Sequence, residues 1–208
     1  MREFLQSLQT QAWRTMGARY NASRRLRRRD LFATFSIAMF SAVGIALTFV
    51  QKQLAPQTGS ELDSYLTILA VCIGLFVGVI SLLEWGSSGS IKAEALHHNA
   101  ELLNSYQRKV SQTLAAAGQP DEPAVTRLRE EYEAIKAACP HNHEPSDDEL
   151  FTAQHRLSPE CLGKDGVPRM SWLEAKLAFI ADKWSSAKIF LVFWVVIVGL
   201  LATTPWSG

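Results

Sequence analysis

The sequence predicts an all-α membrane protein with two or three transmembrane helices and a cytoplasmic antiparallel helical hairpin. Three observations carry this. Leu31 to Val50 is a run of 20 residues without a charged side chain, and Tyr65 to Leu83 is a second, of 19. Arginines crowd immediately before the first run. After the second run, apolar residues recur at the three- and four-residue steps of helix faces. The near balance of 21 Lys+Arg against 20 Asp+Glu hides this partition. With 48% hydrophobic residues, 12 Gly and 8 Pro, the chain is neither collagen-like nor disordered. Three cysteines (Cys72, Cys139 and Cys161) are too few for a disulfide scaffold.

Each long run can cross a hydrocarbon core of about 30 Å at about 1.5 Å rise per residue. A backbone in lipid must satisfy its own hydrogen bonds, so both runs are read as helices. A third run, Ile189 to Thr204, has 16 residues and stops before Pro205. Lys183 and Lys188 are expected to snorkel at one end and Trp206 to anchor the other, giving a third crossing. A re-entrant or interfacial helix is the alternative. Thirty residues precede the first run, whose apolar length exceeds the roughly 7–15 residues of a cleaved signal. It is expected to act as a signal anchor.

Orientation follows from the basic residues. Residues 1–30 carry eight arginines against Glu3 and Asp30, a net +6, whereas Gln51 to Ser64 holds Lys52, Glu61 and Asp63, a net −1. The positive-inside rule places the N-terminus in the cytoplasm. The loop with Ala55-Pro56-Gln57-Thr58-Gly59 then lies outside as a tight turn, and residues 86–188 return to the cytoplasm. Arg24, Arg25, Arg27, Arg28 and Arg29 are expected to set topology. Contact with anionic headgroups of the lipid bilayer is a compatible second role. Direct nucleic-acid binding is not expected beside a span.

Four segments result. Residues 1–30 form a basic amphipathic N-terminal helix with Leu5, Leu8, Ala12, Met16 and Tyr20 on one face. Residues 31–85 form the transmembrane hairpin. Residues 86–170 hold the cytoplasmic helical hairpin and a loop. Residues 171–208 form a long helix with the third membrane segment. Gly86 to Ser90 is a joint or a weak stretch of helix. The hairpin's first seam is Leu96, Asn99, Leu103, Tyr106 and Val110. Gly118-Gln119-Pro120 breaks the helix. The second, from Glu122 to about Ala138, carries Val125, Leu128, Tyr132, Ile135 and Cys139. Each seam needs the other, or a neighbouring subunit, to be stable in water. Ser146 with Glu149 is expected to cap a short helix inside the loop of residues 140–169. Ser171 with Glu174 caps the last helix, which runs through residues 172–204 for about 50 Å.

No residue set points to catalysis. There is no nucleophile elbow, zinc-protease helix, P-loop or dinucleotide fingerprint, so no enzyme is expected. Cys139, His141, His143, His155 and Cys161 cluster in sequence, but at no common zinc spacing, and no metal or cofactor is expected. His97 and His98 are adjacent and point to different faces. In the first span Thr34, Ser41 and Thr48 repeat every seven residues. In the second, Gly74 and Gly78 form a small-xxx-small pair that Ser81 continues. These faces serve span packing, within or between chains, or a weakly polar pore lining. No ionisable residue sits inside any span, which argues against proton coupling or voltage sensing.

Several stretches carry a resemblance. Trp13 leads into Arg19-Tyr20-Asn21-Ala22-Ser23-Arg24-Arg25-Leu26 before the first of two spans joined by a short loop. Lys92-Ala93-Glu94-Ala95-Leu96-His97-His98-Asn99-Ala100 follows, leading to Leu103 and Tyr106. Tyr132-Glu133-Ala134-Ile135, Pro140, Asp147 and Phe151 complete the pattern. Over nearly the whole chain this resembles the SLATT domain, the two-transmembrane effector module associated with SMODS and SLOG proteins. The resemblance implies a role in prokaryotic anti-phage defence, as an effector that breaches the inner membrane and stops the infected cell. It implies a cytoplasmic partner, a nucleotide-signalling enzyme or a reverse transcriptase. It brings no catalytic residue. The expected function is therefore a homo-oligomeric effector that permeabilises the membrane when triggered. The alternative is a membrane-anchored scaffold that recruits a cytoplasmic partner by helix packing; an enzyme acting on lipid is a third reading.

Overall fold

The computed structural model describes residues 1–54, 59–116 and 120–204. The expected turn over residues 55–58, the break at Gly118 and Gln119, and the Trp206 anchor lie outside the described residues. Six α-helices follow in order among the described residues: α1 Arg2–Leu54, α2 Glu61–Ser87, α3 Gly89–Ala115, α4 Glu122–Ala137, α5 Pro145–Gln154 and α6 Trp172–Ala202. A short 3-10 turn covers Pro159–Cys161, and no strand occurs among the described residues. The chain divides into two compact units, one of Met1–Arg27 with Ser90–Ser185, the other of Arg28–Gly89 with Ser186–Gly208.

The second unit holds the apolar runs. α1, α2 and α6 are each long and apolar enough to cross a membrane. Phe40, Leu66, Ile73, Ile80, Phe190 and Ile197 fill the space between them. Phe40 lies 4.7 Å from Trp194, and Phe76 lies 5.1 Å from Phe193, centroid to centroid. Two polar side chains inside this unit bond within it, as a bilayer favours. The Trp194 indole donates to Ser36 Oγ at 3.1 Å, and the Tyr65 hydroxyl donates to the Leu200 carbonyl at 2.6 Å. A helix that inserts Phe190 and Ile197 between two spans shares their depth. The third run therefore packs against both other apolar helices.

Between α2 and α3 the Gly-Ser stretch yields one sharp feature. Ser88 adopts a left-handed conformation, φ 50° and ψ 38°. That costs a residue with a Cβ about 1–2 kcal/mol, and it separates two helices that otherwise abut.

The first unit buries the expected seam of α3 and the middle of that of α4, while Val125, Ile135 and Cys139 are half-buried. Leu96, Asn99, Leu103, Tyr106 and Val110 are buried on α3, and Leu128 and Tyr132 on α4. The seams do not close on each other alone. Leu5, Leu8 and Ala12 of α1 join the same core, so α1 supplies the third side that the sequence left to a neighbour. Tyr106 donates to the Leu128 carbonyl at 3.0 Å, and Gln9 donates to Ser111 Oγ at 2.7 Å. Each fully buried leucine or aromatic here contributes about 1.5–3 kcal/mol.

α5 starts earlier than expected. Glu144, not Ser146, occupies the cap position, and Pro145 opens the helix. Proline is suited to the first helical position because that N–H has no partner in any case. The box partner is then Asp147, not Glu149: its carboxylate accepts from the Glu144 N–H at 2.8 Å.

The cap of α6 is where it was expected. Ser171 N–H donates to Glu174 Oε2 at 2.7 Å, and Glu174 N–H donates to Ser171 Oγ at 3.2 Å. The bonds from Ser171 hold the Glu174 carboxyl below its ordinary value. A depressed carboxyl contributes its stabilisation fully above the unfolded value and loses it as pH falls through the folded one. Amide exchange at Glu174 and Ala175, corrected for intrinsic rates, is therefore expected to quicken once pH drops below the ordinary glutamate range. Protection that stays constant into acid would contradict the capping box.

Candidate functional site

The first unit contains a buried polar cluster that begins on one face of α1. Arg14, Asn21 and Arg25 are seven and four residues apart, which puts them on one helix face. The carboxylates they meet sit on or just before α5. Arg25 forks onto Asp147, Nε to Oδ1 at 2.9 Å and Nη2 to Oδ2 at 3.0 Å, and reaches Glu144 at 3.0 Å. Asp147 is 1% exposed. Asn21 donates to the Asp147 carbonyl at 3.2 Å, and Arg14 pairs with Asp148 at 2.8 Å. Burial opposes the charge of Arg25, but the bonds and charges of Asp147 and Glu144 outweigh it and hold the guanidinium above its ordinary value.

Arg19 differs. It is buried, it donates through Nη1 to Asn99 Oδ1, and no carboxylate of the described residues pairs with it. Asn99 in turn donates to the Ile135 carbonyl at 2.6 Å. Burial pulls the Arg19 guanidinium below its ordinary value, with Cys139 and Tyr132 acting in the opposite sense. Burial likewise pulls the nearby His143 imidazole down.

The arginines before the first span have separate fates. Arg25 is held by α5. Arg29 donates to Glu84 at 3.0 and 3.2 Å inside the second unit. Arg24 and Arg27 are exposed, and Arg28 is half-buried. A cation already bonded to a carboxylate is less available to a headgroup, so Arg24 and Arg27 are the freest members of this set.

Thr34, Ser41, Thr48, Gly74 and Gly78 are exposed, and Ser81 is half-buried. Thr34, Ser41 and Thr48 each follow a buried residue, Ala33, Phe40 and Leu47, and all three are exposed. One residue is about 100° around a helix, which carries them off the packed face. A Cβ at Gly74 or Gly78 would meet nothing within 4 Å. Thr48 and Ser81 donate to their own helix, to the Ile45 carbonyl at 2.7 Å and the Val77 carbonyl at 2.8 Å. Gly44, and not Gly74 or Gly78, faces Ile73 in the contact between α1 and α2.

Cys139, His141 and His143 line one hollow of the first unit, to which His155 and Cys161 do not contribute. His155 packs on Trp13 and Phe151, with centroids 4.9 and 4.4 Å away. Cys161 is a buried thiol that burial pushes up. Among the described residues no three of His, Cys, Asp and Glu are placed to hold a metal. Sequence reasoning missed Gly17, Ser36 and Glu84. Gly17 lies directly under the Phe151 ring. A glycine inside an amphipathic stretch was the available signal for it.

Arg19, Asn21, Arg25, Asn99, Asp147 and Phe151, dispersed over more than 120 residues of sequence, thus converge in one unit, and they are residues on which the family resemblance rests. No curated protein and no solved structure matches the chain. The family description counts two transmembrane segments, whereas three helices here are long and apolar enough to span. The model of SLATT_5, the SMODS and SLOG-associating 2TM effector domain family 5, matches residues 1–204, and with its polar cluster and spans both inside that match the chain belongs to this family of effector domains of defence-associated systems.

Proposed function

We propose that the chain is a membrane effector of a prokaryotic anti-phage defence system that assembles with copies of itself and permeabilises the inner membrane when triggered. The observation that carries this is the outward direction of the glycine and hydroxyl faces. The span unit is filled by apolar side chains, so one chain offers ions no path of its own. Gly74 and Gly78 are open, and Thr34, Ser41 and Thr48 are exposed. Small residues let helices from different chains approach closely, and hydroxyls bond across such contacts or line a weakly polar opening. The arginine-rich start supports a cytoplasmic N-terminus, with residues 86–170 inside. The trigger then comes from a cytoplasmic partner, a nucleotide-signalling enzyme or a reverse transcriptase.

The variant Gly78→Leu tests this sharply, because the added side chain meets no atom of its own chain at the first carbon. The variant is expected to fold and insert like the parent. Induced in bacteria with its neighbouring genes, the parent is expected to collapse the membrane potential, and Gly78→Leu at equal expression to leave it near the resting value. Full depolarisation by both Gly78→Leu and Gly74→Leu would sink the reading. So would crosslinking in native membranes that yields monomer alone, resting and triggered.

One observation favours the scaffold alternative. Trp172, Leu173, Leu177, Ile180 and Trp184 are all more than half exposed on α6 before the span. Such a face suits a docked helix. Replacing the spans with unrelated ones separates the two readings: a scaffold keeps its activity and a permeabilising assembly loses it.

A further inference from the structure

A cleft in the first unit is lined by Thr15 and Arg19 of α1, Tyr132 and Lys136 of α4, and Asn142 and His143 of the segment that leads to α5. Its volume is about 490 Å³, and a neighbouring hollow of about 630 Å³ shares Thr15, Tyr132, Asn142 and His143 with it. Both fall in the roughly 300–1,000 Å³ range of small-molecule sites.

Beside the carboxylate of Glu133, the lining carries several donors. Arg19 is 4% exposed, and its Nε is buried with no hydrogen-bond partner. His143 Nδ1 is also buried without a partner. The other charges at the cleft cancel locally. Lys136 pairs with Glu133 at 3.2 Å, and Arg14 pairs with Asp148 at 2.8 Å. Among the described residues, the Arg19 side chain is left as a buried cation bonded only to a neutral amide. A buried guanidinium without a counter-charge is costly, and Arg25, six positions after Arg19 on α1, shows how this chain otherwise treats one: it receives two carboxylates.

We propose that this cleft binds a small phosphate-bearing ligand whose oxyanion completes Arg19, with Lys136, Thr15, Asn142 and His143 as further donors. Arginine at such a point suits a phosphate group, because its fork offers parallel N–H donors to two oxygens. Bound there, the ligand bridges α1 to α4 and to the start of α5. The inference is independent of the permeabilising reading, since it concerns binding alone.

The test uses the full chain purified in detergent at low salt. Isothermal titration calorimetry is run with pyrophosphate, adenosine monophosphate, citrate and a short-chain phosphatidylglycerol. Saturable binding of at least one phosphate compound is expected. Binding of pyrophosphate or the nucleotide without the lipid assigns a soluble ligand. Binding of phosphatidylglycerol alone assigns a headgroup. Arg19→Gln is expected to weaken binding about tenfold or more, as loss of a buried charge-assisted donor does. Because Arg19 is buried, Lys136→Ala provides a partly exposed second variant. It is expected to weaken binding by several-fold with an unchanged circular dichroism spectrum, while Arg129→Ala on the exposed face of α4 changes nothing. The proposal is overturned by no saturable binding of any phosphate probe to the folded chain. Citrate binding as tightly as pyrophosphate overturns it too, as does binding that survives both Arg19→Gln and Lys136→Ala.

Discussion

Gly17→Ala is expected to destabilise the first unit, although alanine is the better helix former. An exposed glycine in mid-helix gains about 1 kcal/mol on this change. Here a Cβ would overlap the Phe151 ring, and ring atoms of a buried side chain do not yield as the end of a flexible chain does. Overpacking of this kind costs about 1–3 kcal/mol, so the clash wins over the propensity gain. The ring is held on its other side: Trp13 meets it edge-on at 4.6 Å, and His155 lies 4.4 Å away. Phe151→Ala alone is expected to cost about 3–5 kcal/mol by leaving a cavity. Combining Gly17→Ala with Phe151→Leu should recover part of the loss, because a smaller side chain leaves room for the methyl group. Thermal unfolding of the full chain in detergent, followed by tryptophan fluorescence, reads all three variants. A Gly17→Ala chain more stable than the parent would mean that α5 is not seated on α1 at this point.

That contact also shows what the sequence discloses and what it withholds. The apolar runs are legible because a bilayer sets their length, whatever else the chain does. The seams of α3 and α4 are legible because water on one side forces a period. Partner identity is another matter. Periodicity placed Arg25 on α1 but could not name Asp147, 122 residues away, as its acceptor. Gly17 went unnoticed, since its reason lies in Phe151.

The spans pose a further limit. Gly74 and Gly78 stand out as a small-residue pair, but a span is apolar on its lipid face and its packed face alike. Hydropathy therefore cannot say which way such a pair looks, and only the placement of Ile73 and Ile80 in the core shows that the glycines look outward. The start of α5 differs from the expected one for a local reason. Ser146 is a good cap in isolation, but Pro145 is better placed inside the first turn than before it, which shifts the cap to Glu144.

Asp147→Ala is expected to be the most damaging single change in the polar cluster. It removes the acceptor of both Arg25 bonds and the group that caps the Glu144 N–H. Breaking one side of a buried ion pair costs about 3–5 kcal/mol, because the remaining charge stays buried. Glu144 still reaches Arg25 at 3.0 Å, but its side chain is 62% exposed and water weakens the bond, so it offsets only part of the loss. Asp147→Asn separates the two roles. Its amide oxygen can still accept from the Glu144 N–H, so this variant loses charge but keeps the cap, and it should be milder than alanine. Arg25→Lys keeps the charge and loses the fork, and should also fall short of the parent. The double variant Arg25→Met with Asp147→Leu removes both charges and refills the volume, and is expected to be less unstable than Asp147→Ala alone. Urea unfolding of the four variants in detergent measures the order. A parent-like midpoint for Asp147→Ala would show that the pair contributes nothing to holding α5 on α1. A double variant that unfolds as readily as Asp147→Ala would place the damage in the lost helix cap and not in a stranded arginine.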